Sequence, residues 1–135
     1  MSKGETTTET TTNSKPAAIV TRDQLLSANK RRFKQFPVPG LPGEVRIRSL
    51  TEREKANYEA RFMDKGGNLS RDRLKEARRV LVMLIVVDAE GNPILNDGDV
   101  KTLEEIDGNI TSTIQAEGQI HCGITRAQVE EETKN

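Results

Sequence analysis

The chain has no tryptophan, one tyrosine, three phenylalanines, one cysteine and one histidine in 135 residues. With Cys122 as its sole cysteine it can form no internal disulfide, which excludes disulfide-built secreted scaffolds and makes an intracellular setting the expectation. No apolar run approaches the roughly 20 residues of a membrane-spanning helix. The opening MSKGETTTETTTNSKP lacks the hydrophobic stretch of a secretory signal. One histidine and one cysteine leave few ways to build a zinc site or a Cys–His nucleophile. Four aromatic rings, several of them needed for a core, give single-stranded nucleic acid little to stack on. Hydrophobic residues make up 33% of the chain and charged residues 31%, so composition points to an unstructured end or a surface completed by a partner. The length allows one domain.

Charge is what the chain has in abundance, and it is unevenly placed. Residues 21–80 carry 16 Lys and Arg against 8 Asp and Glu, a balance of +8; residues 81–135 carry 3 against 11, a balance of −8. Two folds of that charge are open. The halves can pack together and neutralise locally, or each end can face a different partner or the next copy of the chain.

Residues 1–20 are a Thr-rich segment with almost nothing to bury, and ordering them would cost roughly 1–2 kcal/mol of backbone entropy per residue; they are expected to be disordered. A short helix follows, capped at Thr21 or Asp23 and ending in the basic cluster Lys30, Arg31, Arg32 and Lys34. Over residues 33–49, Val45-Arg46-Ile47-Arg48 alternates at the period of a strand, Phe36 and Val38 supply its partner, and Pro39-Gly40-Leu41-Pro42-Gly43 demands a turn: a β-hairpin. Pro37 lacks an amide donor, so its strand belongs at an edge.

Thr51-Glu52-Arg53-Glu54 reads as a capping box opening a helix that carries Tyr58 and Phe62 on one face and stops at Gly66-Gly67. A second helix, capped by Asn68 or Ser70, places Leu74, Ala77, Leu81, Leu84 and Ile85 at helical spacing. Its segment Val80 to Val87 is apolar throughout, which fits a helix or a buried strand; continuity with the preceding stripe favours helix. Asp88 to Pro93 is a turn. Asn96 or Asp97 caps a short helix with Val100, Leu103 and Ile106, and a last core helix aligns Ile110, Ile114, Gly118 and His121 before Cys122-Gly123 ends it. Residues 125–135 form an acidic tail, with a capping box at Thr125–Gln128 that could open a frayed helix. The expected fold is α+β: a mostly helical single domain over 21–124 with one N-terminal hairpin and disordered termini.

Tested for chemistry, the motifs yield little. Asp88 to Asp99 offers oxygens at several calcium-loop positions, but Pro93 stands where glycine should make the sharp turn, and Asp99 is too short for bidentate reach. His121 and Cys122 are neighbours on a helix and point apart, which suits a helix-end imidazole and a small buried thiol. No catalytic, metal or cofactor residue is expected. The basic 30–79 region, with Arg46 and Arg48 on one strand face, leaves a small nucleic-acid-binding protein as an alternative.

From about 41 to 124 the chain resembles the tail assembly chaperones of long-tailed bacteriophages. The likeness lies in Leu41-Pro42-Gly43-Glu44-Val45-Arg46-Ile47-Arg48-Ser49-Leu50-Thr51-Glu52-Arg53-Glu54, then Val80 to Val87 running into Asp88-Ala89-Glu90-Gly91-Asn92-Pro93-Ile94-Leu95, and Asp97-Gly98-Asp99-Val100-Lys101-Thr102-Leu103. The resemblance implies a non-catalytic factor that coats the tape-measure protein in the host cytoplasm, is absent from the mature virion, and recruits tail tube protein through a longer frameshifted form. A permanent virion subunit is a further alternative. A tape-measure protein is mostly long amphipathic helix whose bare apolar stripe would aggregate. Arg71, Arg73, Arg78 and Arg79 are the candidate residues for facing an acidic partner surface or the acidic end of the next copy. Neither membrane nor nucleic acid is an expected partner.

Overall fold

A computed structural model describes residues 17–124; the expected disorder of the Thr-rich segment over 1–16 and the acidic tail at 125–135 lie outside them. The chain divides into two units at Lys30–Arg31. In the first unit, α1 (Arg22–Leu26) opens with a reciprocal capping box: Thr21 Oγ1 accepts from the Gln24 amide, and Gln24 Oε1 accepts from the Thr21 amide. Thr21, not Asp23, is the cap. The helix ends at Leu26, so the basic cluster 30–34 does not sit at its C-terminus. Every residue from 17 to 30 is exposed, including Leu25 and Leu26.

The second unit begins with the hairpin. Strands β1 (Phe33–Pro37) and β2 (Glu44–Arg48) pair antiparallel, Phe36 opposite Val45 and Lys34 opposite Ile47. The Pro/Gly turn closes with the Leu41 amide donating to Val38 O, and Gly40 takes φ 101°, which L side chains rarely adopt. A Cβ there would meet the side chain of Ile110 at 3.4 Å. Pro37 lies on the edge strand, where a missing donor does no harm.

Helix α2 (Glu52–Ala60) starts at the expected Thr51/Glu54 capping box. It ends at Ala60, well before Gly66-Gly67. Phe62 lies in the turn that follows and still meets Tyr58 edge-on, ring centroids 4.9 Å apart. The glycines instead form the tip of a loop organised by Asp64, whose Oδ1 accepts from the amides of Gly66 and Asn68, while Met63 bridges to Leu69.

The single helix expected from Ser70 onward is two. Ser70 caps α3 (Arg71–Leu74), and α4 (Ala77–Ile85) follows. Between them the Glu76 amide bonds back to Arg73 O, a three-residue span that tightens the turn and breaks the α-helical ladder. The ambiguous run from 80 to 87 resolves into both alternatives. It is helical through Ile85, then extended in β3 (Val86–Val87), which adds a third antiparallel strand beside β2, Ile47 opposite Val86 and Arg46 opposite Val87. A β-branched pair ending an apolar helix favours that switch.

Past the turn at 88–93, α5 (Asp99–Thr102) and a 3-10 turn (Leu103–Glu105) lead to α6 (Gly108–His121). The cap of α5 is Gly98; Asn96 acts two residues earlier, its Oδ1 accepting from the Gly98 amide, and Asp97 turns to Arg61. Asp107 caps α6, and Gly123, φ 70°, follows its end.

Past its first turn, which carries the exposed Arg78, helix α4 is largely buried: Val80, Leu81, Val82, Met83 and Ile85 all lie in the core with Phe36, Ile47, Tyr58 and Ile114. Burying a side chain of this kind is worth about 1.5–3 kcal/mol. Against it packs α6, closest at Gly118, where a Cβ would overlap Ile85 Cδ1. Gly118→Leu is therefore expected to lower stability by about 1–3 kcal/mol in urea unfolding. Pairing it with Ile85→Ala should recover part of the loss, and purely additive effects would contradict the contact.

Candidate partner-binding surface

Within this fold the basic and acidic segments meet. Lys34 pairs with Glu117, Arg61 with Asp97 (2.8 Å) and Arg79 with Glu104 (3.1 Å), each pair joining residues from the two oppositely charged stretches. Local neutralisation thus accounts for part of the asymmetry.

The strongest electrostatic cluster lies elsewhere. Glu54 receives two bonds from the Arg31 guanidinium, both 2.6 Å, and its Oε1 also accepts from the Thr51 amide. Arg48 approaches to 3.7 Å. The Arg31 hydrogen bonds are the main reason the Glu54 carboxyl falls to a pKa of about 2, outweighing the opposing effect of burial. Glu54 therefore caps α2 and ties it to the lead into β1. The capping spacing was visible in the sequence; the arginine, 23 residues away, was not.

Other arginines are held by carbonyls. Arg48 donates from Nε to Leu84 O (2.9 Å), and burial pulls its pKa down. Arg46 donates to Ala89 O and lies 4.5 Å over the Phe33 ring. Arg32 donates to His121 O (2.7 Å) while His121 Nε2 meets Arg32 O (3.0 Å). Cys122 sits half-buried with Sγ 3.6 Å from Arg48 O, and burial pushes its thiol up, away from the thiolate a nucleophile needs. Among the described residues no group of three or more His, Cys, Asp or Glu could hold a metal, and no helix is long and apolar enough to cross a membrane.

The four candidate arginines do not form one patch. Arg71 is exposed at the start of α3. Arg73 donates to Met63 O, bracing the loop at 63–69. Arg78 and Arg79 on α4 line an open groove of about 960 Å³, with α6 and the 103–106 segment as its other walls. Arg78 donates from Nε to Gln115 Oε1 (3.1 Å), and Arg79 reaches Glu104. Sequence spacing could not show this groove, because four separate segments build it, Tyr58 of α2 included. Its apolar contribution includes Leu103 and Ile106, the latter 38% exposed although the sequence pattern aligned it with the core residue Val100.

Because Glu54 is held below its ordinary value, the stability it contributes is complete above about pH 4.5 and is lost as pH falls toward 2. Glu54→Gln should lower stability at pH 7 by about 1 kcal/mol, a solvent-edge pair being screened. The difference from the parent chain should shrink between pH 5 and pH 2 in urea midpoints; a constant difference across that range would be inconsistent with the pairing.

No protein-family model matches the chain. A search of curated proteins also finds no match. Among solved structures, the fold is similar to that of the bacteriophage HK97 tail assembly chaperone, at 20% identity and a TM-score of 0.51, over 71% of this chain and 92% of that one. The resemblance read from residues 41–124 thus meets a likeness in three dimensions, and the chain shares the fold of a phage tail assembly chaperone.

Proposed function

We propose that this protein is a non-catalytic phage tail assembly chaperone that binds the tape-measure protein in the host cytoplasm and is absent from the mature virion. The observation that carries the reading is the fold likeness to the HK97 tail assembly chaperone, which spans nearly all of that chain. The chemistry of the surface is compatible with it. A factor that keeps a long amphipathic helix soluble needs shallow, repeatable contacts with easy release, and an open groove edged by charge suits that work better than an enclosed pocket. Recruitment of tail tube protein through a longer form, and self-association along the partner, belong to the same proposal.

The nucleic-acid alternative loses support at the residues that suggested it. Arg31 and Arg48 gather around Glu54, and Arg46 is engaged by Phe33 and Ala89, so the strand face offers no clear track for phosphates.

Co-expression with the tape-measure protein, followed by size-exclusion chromatography with light scattering, tests the proposal. The expected result is a soluble complex with several copies of this chain per partner, where the partner alone precipitates. A partner that stays insoluble, with this chain eluting on nucleic acid that added salt removes, would favour the alternative.

A further inference from the structure

The groove has two unlike walls. Its α4 side is cationic. Lys75 pairs with the highly exposed Asp72, at 3.6 Å, and Arg78 faces a neutral amide. Arg79 pairs with Glu104 through one terminal nitrogen, while its Nε–H is buried without a hydrogen-bond partner among the described residues. The α6 side is uncharged: Ser112, Gln115, Ala116 and Gln119 lie three or four apart, along one side of the helix. Leu103 and Ile106 add apolar surface at the end, with the carboxylates of Glu104 and Glu105 between them, so the positive charge is confined to the α4 side.

These features fit one kind of occupant. The short side chains of Ser112 and Ala116 let another helix axis approach α6 at ordinary packing distance. Leu103 and Ile106 would take its apolar stripe. The cationic wall calls for carboxylates along the flank of that stripe, at the three- and four-residue spacing that brings successive turns to one side. We propose that this groove docks an amphipathic α-helix of a second protein that carries carboxylates along one flank of its apolar stripe. The proposal rests on the chaperone reading in taking the partner to be helical; the polarity of its flank comes from the groove. Of the four candidate arginines, Arg78 and Arg79 then belong to the site with Lys75, while Arg71 and Arg73 do not.

Two synthetic peptides of about 20 residues, long enough to be helical, test this. Both carry the same Leu/Ala stripe, one flanked by Glu and the other by Lys, and each is titrated into the isotope-labelled full chain while amide NMR shifts are followed. The acidic peptide should perturb amides of α4 and α6 around the groove. Lys75→Glu with Arg78→Glu should weaken it by about tenfold or more and admit the basic peptide. Both positions are exposed, so an unchanged melting temperature will confirm that the variant is folded. Equal binding of the two peptides, shifts centred elsewhere, or no binding up to about 1 mM overturns the proposal. If the acidic peptide binds in the groove while co-expression gives no complex, the groove stands and the tape-measure partner falls. A tape-measure complex that survives Lys75→Glu with Arg78→Glu overturns the groove and leaves the chaperone reading intact.

Discussion

The chain passes from helix to strand between Ile85 and Val86 with no loop between them, and the remainder of the second unit is arranged around that continuous span. The stretch of α4 from Val80 to Ile85, with all but Leu84 fully buried, needs partners on several sides. Here α6 covers one side, with Gly118 admitting Ile85, and the aromatic pair of Tyr58 and Phe62 joins the same core. Beyond Ile85 the backbone leaves its own helical ladder and pairs with β2, so one apolar run of eight residues, Val80 to Val87, serves both the helical layer and the sheet. With so few aromatics elsewhere, that economy is what lets a polar sequence close a core.

Charge has two roles in the molecule. Around Glu54 it is structural: one carboxylate satisfies a helix end and holds the strand that follows Arg31. Along α4 it is less committed: among the described residues, Arg78 meets an amide and Arg79 Nε–H has no hydrogen-bond partner. A composition count cannot separate these roles, because it registers charge without registering what each charge faces.

The elements set by local chemistry were legible in the sequence. The Pro/Gly turn, the alternation through Val45 to Arg48, the Thr51/Glu54 box and the stripe from Ile110 to Gly118 each depend on residues close in the chain, and each appears as expected. What failed depended on tertiary partners. Phe62 leaves α2 yet keeps its contact with Tyr58, so its spacing mimicked a longer helix. The break at Lys75–Glu76 has no proline or glycine to announce it. The short third strand exists only because β2 is there to pair with it. For the candidate site, the arginines were visible as residues, but their division between loop brace and groove wall was not, because Met63, Glu104 and Gln115 come from three other segments.

The reciprocal bonds between Arg32 and His121 join positions 89 residues apart in the chain. They place the start of β1 beside the end of α6, so the described part of the second unit, residues 31–124, is nearly a closed ring of chain. A short linker there could complete the ring covalently, and new ends could be opened at the exposed Gly66-Gly67 loop without disturbing a strand or a helix. Circular permutation is thus available to this fold.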